Sequence, residues 1–167
     1  MPPEVHFDPA QLDFSKVVAD KEELRRVNPQ RFEMEQLDCI IHLDREQHII
    51  IGYKDVQPDE FWVRGHMPGY PLMPGVLMCE AAAQLCSYYV VVTGLLHGDF
   101  IGFGGLDEVR FRGLVRPGDR FVLVGKGLRL HRRQTIFNVQ GFVGSTMVFH
   151  GEVFGVPLNR EDAAPQS

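Results

Sequence analysis

Residues Gly65–Gln84 read GHMPGYPLMPGVLMCEAAAQ, and the fold follows from the change of character halfway along this stretch. Between Gly65 and Gly75 stand Pro68, Pro71 and Pro74 together with Gly65, Gly69 and Gly75, a density of breakers that excludes helix and strand alike. From Val76 no breaker occurs until Gly94, and the run VLMCEAAAQLCSYYVVVT is interrupted only by Glu80, Gln84, Ser87 and Thr93. A stiff loop therefore feeds a long helix that is apolar nearly all round. One sheet face cannot cover such a helix, so the sheet must curl around it, with a second copy of the chain covering part of the helix or its loop.

On either side the pattern turns to β. LDCIIHL (37–43) and QHIIIGYK (47–54) flank the polar turn Asp44–Glu46 and read as a hairpin. Beyond the helix, strand-like runs over about 100–115, 120–130, 134–143 and 146–156 are divided by turn chemistry at 116–119, 131–133 and 144–145. Alternation at Phe121 and Leu123, and through Ile136–Gln140, predicts a sheet with one buried face. Residues 1–14 form a Pro-rich, extended lead-in, and Ser15 is placed to cap a short helix through Arg26, stopped by Asn28-Pro29. Residues 159–167 read as a disordered polar tail, leaving a single domain over 15–158. The fold class is α+β, a curled antiparallel sheet around one long central helix.

The totals narrow the function. A chain of 167 residues is one domain with room for a core, and a net charge of −5 argues against nucleic-acid binding. Eight of the basic residues fall between Arg110 and Arg133 (110, 112, 116, 120, 126, 129, 132, 133) against one acid, Asp119. That segment is either a basic face suited to an acidic or phosphorylated partner, or a solvated strand surface. Cys39, Cys79 and Cys86 are odd in number and lack metal-type spacing, as in a protein of a reducing, cytoplasmic compartment. The opening MPPEVHFDPA has no basic region followed by an apolar run, so no secretory leader is expected. Val76–Leu96 approaches the length of a membrane span, but Glu80, Gln84, Ser87 and Thr93 favour an enclosed core helix.

Two proton-moving side chains sit at the loop–helix junction. His66 opens the rigid loop, Glu80 occupies the second helical turn, and Gly75 lies at the helix start, where free N–H groups and the helix dipole favour developing negative charge. Alone, His66 is an ordinary loop histidine and Glu80 an ordinary carboxylate near a helix N-terminus. Together with Gly75 they suit abstraction of a proton α to a carbonyl, coupled to protonation of a departing group. Enclosure of Glu80 among Leu72, Met73, Leu77 and Met78 is expected.

GHMPG (65–69), PLMPGVL (71–77) and EAAAQ (80–84) resemble the active-site motif of the 3-hydroxyacyl-[acyl carrier protein] dehydratases, a family with the hot-dog fold. GLDEVRFRGLVRPGDR (105–120) is similar to a second family element, and NPQRF (28–32) more weakly to a Pro-His-Arg-Phe element. The chain departs from the family pattern at Met67, where Phe is usual, at Gln30 in place of His, and at Glu33–Gln36 in place of an apolar run. The resemblance implies that His66 removes the α-proton of a 3-hydroxyacyl thioester and that Glu80 protonates the leaving β-hydroxyl. The backbone N–H of Gly75 would hold the thioester carbonyl, and the product would be a trans-2-enoyl thioester of fatty-acid elongation. Neither cofactor nor metal is implied. It further implies a substrate tunnel bordered by Met67, Tyr70, Leu72, Met73 and Gln84, with Tyr70 as a candidate gate. Contact with an acyl carrier protein bearing a phosphopantetheine-linked chain would fall to Arg110, Arg112, Arg116, Arg132 and Arg133. Glutamate at position 80 fits the branch that does not isomerise the double bond. The family builds its site across a homodimer, often one of three in a hexamer. A hot-dog thioesterase, an acyl-CoA hydratase and a non-catalytic acyl-binding protein of the same fold are the alternatives.

Overall fold

The computed structural model describes residues 1–163, and within it the elements follow the expected order. Helix α1 (Lys21–Val27) precedes strands β1 (Cys39–Asp44) and β2 (Ile49–Asp55), then helix α2 (Gly75–Val92). Strands β3 (Phe100–Phe111), β4 (Arg120–His131), β5 (Gln134–Val143) and β6 (Thr146–Leu158) complete one antiparallel sheet in the order β1-β2-β4-β5-β6-β3. This is the hot-dog arrangement, one long helix wrapped by a six-stranded sheet. The β1–β2 turn closes as its polar residues predict, with the Asp44 carboxylate accepting from the Glu46 and Gln47 amides at 2.8 and 3.0 Å.

The concave face holds the helix. Ala81, Ala82, Leu85 and Tyr89 are fully or almost fully buried against Ile40, Ile50, Leu123, Phe137 and Phe149. Each large apolar side chain enclosed there contributes about 1.5–3 kcal/mol. Leu85 comes so close to the strands that a Cβ at Gly52 would stand 3.1 Å from its Cδ1 and 2.8 Å from the Cys39 carbonyl oxygen. Helix α2 is long and apolar enough to cross a membrane, but 67% of it is buried inside the domain, as a core helix should be.

Three expectations need correction. The helix expected from Ser15 begins at Lys21 instead. Asp20 caps it, its carboxylate accepting from the Glu23 amide at 2.9 Å, while Ser15 is drawn into a turn by the Asp13 carboxylate. Val18 and Ala19, outside the helix, bond with Ile40 and cover the outer edge of β1. Second, the sheet is buried on both faces over part of its width. Ile41, Ile49, Ile51, Val122, Val124 and Phe142 form a second cluster on the convex side, covered by Phe7 and Leu12. The lead-in is thus a packed strap, pinned where the His6 amide donates to Gln140 Oε1 (3.0 Å) and Gln140 Nε2 donates to the Glu4 carbonyl (2.8 Å). Third, Arg160–Ala163 form a short 3-10 turn, the Arg160 amide donating to Asp99 at 2.7 Å; of the tail expected over 159–167, residues 164–167 lie outside the described residues.

The two sheet edges differ. Strand β1 is covered by Val18–Ala19, whereas β3, bonded to β6 on one side, has no strand on the other among the described residues. Phe103, Leu106 and Phe111 on this edge strand are each 44–52% exposed. An open edge with apolar side chains is a template for another chain.

Candidate active site

The rigid loop holds His66 by its backbone and by its ring. The His66 amide donates to the carbonyl of Trp62 at 2.8 Å, and Trp62 is itself sunk in the core. In return the His66 carbonyl accepts from the Leu72 amide at 2.8 Å. Ring Nδ1 lies 2.8 Å from the Leu72 carbonyl oxygen. A carbonyl can only accept, so Nδ1 carries the proton and Nε2 presents its lone pair. That is the tautomer a general base requires.

Gly75 lies in the same cavity as His66. This cavity, of about 370 Å³, is lined by His66, Leu72, Met73, Gly75 and Val76 from the loop and helix start. Phe111, Gly113, Leu114 and Val115, at and beyond the end of β3, close its other side. Among the described residues no acceptor pairs with the Gly75 or Val76 amide, as expected of the first turn of a helix. A Cβ on Gly75 would stand 2.7 Å from the Phe111 ring. Phe111 is half exposed, so the ring can swing aside, but it would move within the cavity it lines. Gly75→Ala is therefore expected to leave the melting temperature within about 3 °C of wild type while lowering kcat/KM about 10- to 100-fold. Equal losses of stability and activity would show that Gly75 is needed for packing alone.

Glu80 lies elsewhere. Five residues after Gly75 it is about 140° further around the helix, at about 100° per residue. It lines a second cavity of about 120 Å³ with Gln30, Ser87, Ile101, Phe103 and Thr135. The expected enclosure of Glu80 by Leu72, Met73 and Met78 is not what forms, because those residues face the His66 cavity. Gln84, one turn on, is 3% exposed and fully engaged. Its Nε2 donates to Glu80 Oε1 (2.9 Å) and to the Met34 carbonyl (2.6 Å), and its Oε1 accepts from the Gln36 amide (2.9 Å). It holds the Glu80 carboxylate and ties the helix to residues 34–36.

The other expected site residues are divided in the same way. Leu72 and Met73 line the His66 cavity, whereas Met67 and Tyr70 are half exposed, their amides and carbonyls bonded to each other at 2.8–2.9 Å. The Tyr70 hydroxyl accepts from Arg116 Nη2 at 2.7 Å, and the guanidinium lies 5.4 Å from the ring centre. The basic segment does not make one face. Arg112 lies opposite Val148, while the turn bearing Arg132 and Arg133 lies beside Thr135 and so beside Gly155. Seven residues of β6 separate these points, about 24 Å. Arg110, Arg112 and Arg116 flank the His66 cavity; Arg132 and Arg133 stand at the far end. Arg120 is engaged with both Asp55 carboxylate oxygens at 2.7 and 2.9 Å.

Burial raises all three thiols away from their ordinary range, most of all Cys86, which leaves them poor nucleophiles. Among the described residues no three His, Cys, Asp or Glu side chains converge as metal ligands would. Two groups of lining residues were not named from the sequence: Phe111, Gly113, Leu114 and Val115 at the His66 cavity, and Ile101, Phe103 and Thr135 beside Glu80. The only local signal for the first was its place within the 105–120 element.

Residues 28–152 match the FabA-like domain family. Over 132 residues the chain is 33% identical to the 3-hydroxyacyl-[acyl-carrier-protein] dehydratase FabZ of Clostridioides difficile strain 630, covering 79% of this chain and 92% of that one. The FabZ of Syntrophobacter fumaroxidans is 38% identical over 129 residues, 75% of this chain and 84% of the relative. Among solved structures, the dehydratase heterocomplex ApeI:P from Xenorhabdus doucetiae superposes with a TM-score of 0.72 at 14% identity, over 84% of this chain and 93% of that chain. The E. coli PaaI protein of the phenylacetic acid degradation operon gives 0.56 at 13% identity, over 70% and 80%. At such identities the two structures speak for the fold alone. The family match and the identity sustained along most of each FabZ relative decide the affiliation: the chain belongs to the FabA-like family of 3-hydroxyacyl-[acyl-carrier-protein] dehydratases.

Proposed function

We propose that this protein is a hydro-lyase that dehydrates 3-hydroxyacyl-[acyl carrier protein] thioesters to trans-2-enoyl thioesters in fatty-acid synthesis. The observation that carries the assignment of roles is the His66 ring, fixed with Nδ1–H on the Leu72 carbonyl and sharing its cavity with the Gly75 helix start. A thioester carbonyl seated at the Gly75 amide is polarised, which acidifies the neighbouring α-carbon. His66 Nε2 takes that proton, the electron pair forms the Cα=Cβ bond, and the β-hydroxyl leaves with a proton from Glu80. The thioester stays intact throughout.

The acid comes from a second copy of the chain. In one chain His66 and Glu80 line separate cavities on different sides of α2, so a complete site needs the Glu80 cavity of a partner beside the His66 cavity. The open apolar edge of β3 supports such a homodimer, and three dimers make the hexamer that the sequence resemblance implies. Arg110, Arg112 and Arg116 of the chain that supplies His66 would meet an acidic carrier protein delivering its phosphopantetheine-linked chain to the His66 cavity; Arg132 and Arg133 of that same chain stand at its other end, on the side of its own Glu80 cavity. Three buried free thiols accord with a reducing cytoplasm.

The test is hydration of crotonyl thioesters in the reverse direction, on acyl carrier protein and on coenzyme A, followed as loss of enoyl-thioester absorbance. The wild-type protein is expected to consume the enoyl signal without releasing thiol. Release of free thiol would make it a thioesterase; acyl binding without turnover on either carrier would make it a binding protein.

A further inference from the structure

The cavity beside Glu80 is a slot between α2 and three strands. Glu80, Ala83 and Ser87 line it along one helix face, at three- and four-residue spacing. At 1.5 Å per residue, Glu80 to Ser87 spans about 10 Å. The opposite wall includes one rung of the sheet: Phe103 on the edge strand β3 pairs with Gly155 on β6, which pairs with Thr135 on β5. Phe103 is half exposed at the open edge, whereas Thr135 is buried two strands further in, about 10 Å away. The next residue on the rung, Leu130 of β4, packs against the core and does not line the cavity, so the slot stops at Thr135. Gly155 keeps it open between these ends. A Cβ there would stand 2.7 Å from Thr135 Oγ1 and 2.9 Å from Ile101 Cγ2, both on lining residues, so a side chain would fill the space. The cavity of about 120 Å³ has room for about four water-sized groups at about 30 Å³ each, and a methylene is of similar bulk.

We propose that this slot holds the acyl tail of the substrate and limits it to about four carbons beyond Cβ, with Gly155 as its open floor and Thr135 as its stop. The proposal rests on the reading of Glu80 as the acid. With the thioester carbonyl and α-carbon held at Gly75 and His66 of one chain, the β-oxygen meets Glu80 of the other. The tail beyond Cβ then continues into the cavity that this Glu80 lines. A short tail fits between Ala83 and Gly155. A longer one reaches Thr135, where it must displace packed side chains or fold back toward Phe103. The Thr135 hydroxyl reinforces the stop, because an alkyl end pressed on it covers a polar group without giving it a hydrogen bond. Gly155 and Thr135 are thus specificity residues, and the substrates they select are short-chain 3-hydroxyacyl thioesters.

The test uses the full chain and 3-hydroxyacyl groups of four, six, eight, ten and twelve carbons loaded on acyl carrier protein. Wild-type kcat/KM is expected to hold through six carbons and to fall about 10- to 100-fold by ten. Thr135→Ala, which removes the stop, should raise the eight- and ten-carbon chains about 5- to 20-fold and leave the four-carbon chain within about twofold. Gly155→Ala, which fills the slot, should lower the six-carbon chain about 10- to 50-fold and the four-carbon chain less than about threefold. If Gly155→Ala does not fold, Thr135→Ala, which only removes atoms, carries the test. Ratios between chain lengths are the readout, because a loss of stability lowers all lengths alike. A flat wild-type profile, or ratios that no folded variant changes, overturns the slot while leaving the function intact. A wild-type protein inactive at every length, on acyl carrier protein and on coenzyme A alike, overturns the function and the slot with it.

Discussion

Co-expressed His66→Ala and Glu80→Gln chains, each inactive alone, are expected to recover about a quarter of wild-type activity. Random pairing makes half the dimers mixed, and each mixed dimer holds one complete site of two, so about one site in four is restored. Alone, each substitution removes a proton-transferring group and should lower kcat about 10²- to 10⁴-fold. Geometry is the reason to expect recovery. The 140° offset between Gly75 and Glu80 points the carboxylate away from the cavity of His66, and the Gln84 amide holds it there at 2.9 Å. Differently tagged chains isolated as heterodimers give the measurement. Heterodimers as dead as their parents would mean that the two residues do not share a site across the interface.

Glu60→Gln is expected to cost about 2–4 kcal/mol and to lower the melting temperature by about 5–15 °C. Lys54 in β2 places Nζ 2.9 Å from Glu60 Oε1, with side chains only 5% and 11% exposed. Removing the carboxylate's charge leaves a buried ammonium without its counter-ion, which is the unfavourable half of breaking such a pair. The double substitution Lys54→Met/Glu60→Leu should regain most of the loss, since it removes both charges and keeps apolar volume. Activity should follow stability here. The Glu60 backbone carbonyl accepts from the Val63 amide at 3.0 Å, so the Lys54–Glu60 pair anchors the start of the turn whose Trp62 carbonyl holds His66. Thermal melts of the three variants decide the matter; Glu60→Gln melting within about 2 °C of wild type would rule the pair out as an anchor.

Much of the fold was legible because its signals are local. Three prolines and three glycines determine a loop whatever surrounds it, and eighteen residues without a breaker determine a helix. The strands of the second half fell close to their expected bounds because Pro-Gly and Gly-Ser turns stop a ladder at fixed points. Competition between near-equal local signals was not legible. Ser15 and Asp20 both suit a helix start, and the choice went to Asp20 because Val18 and Ala19 are bonded to the edge of β1. The buried convex face was equally hidden, since Ile49–Ile51 is apolar on both sides of the strand and says nothing of which segment covers it.

By itself the sequence determined the loop, the helix, the sheet class and the chemical types available at the junction, His66, Gly75 and Glu80. The tertiary structure decided where they point. It fixed the His66 ring on the Leu72 carbonyl in the cavity that Gly75 also lines, turned Glu80 to another cavity, and brought Gln30 to that cavity from fifty residues away in the chain. It also separated the arginines that sequence proximity had grouped. Antiparallel pairing sends each strand back along its neighbour, so residues twenty apart can stand at opposite ends of a sheet while residues fifty apart line one cavity.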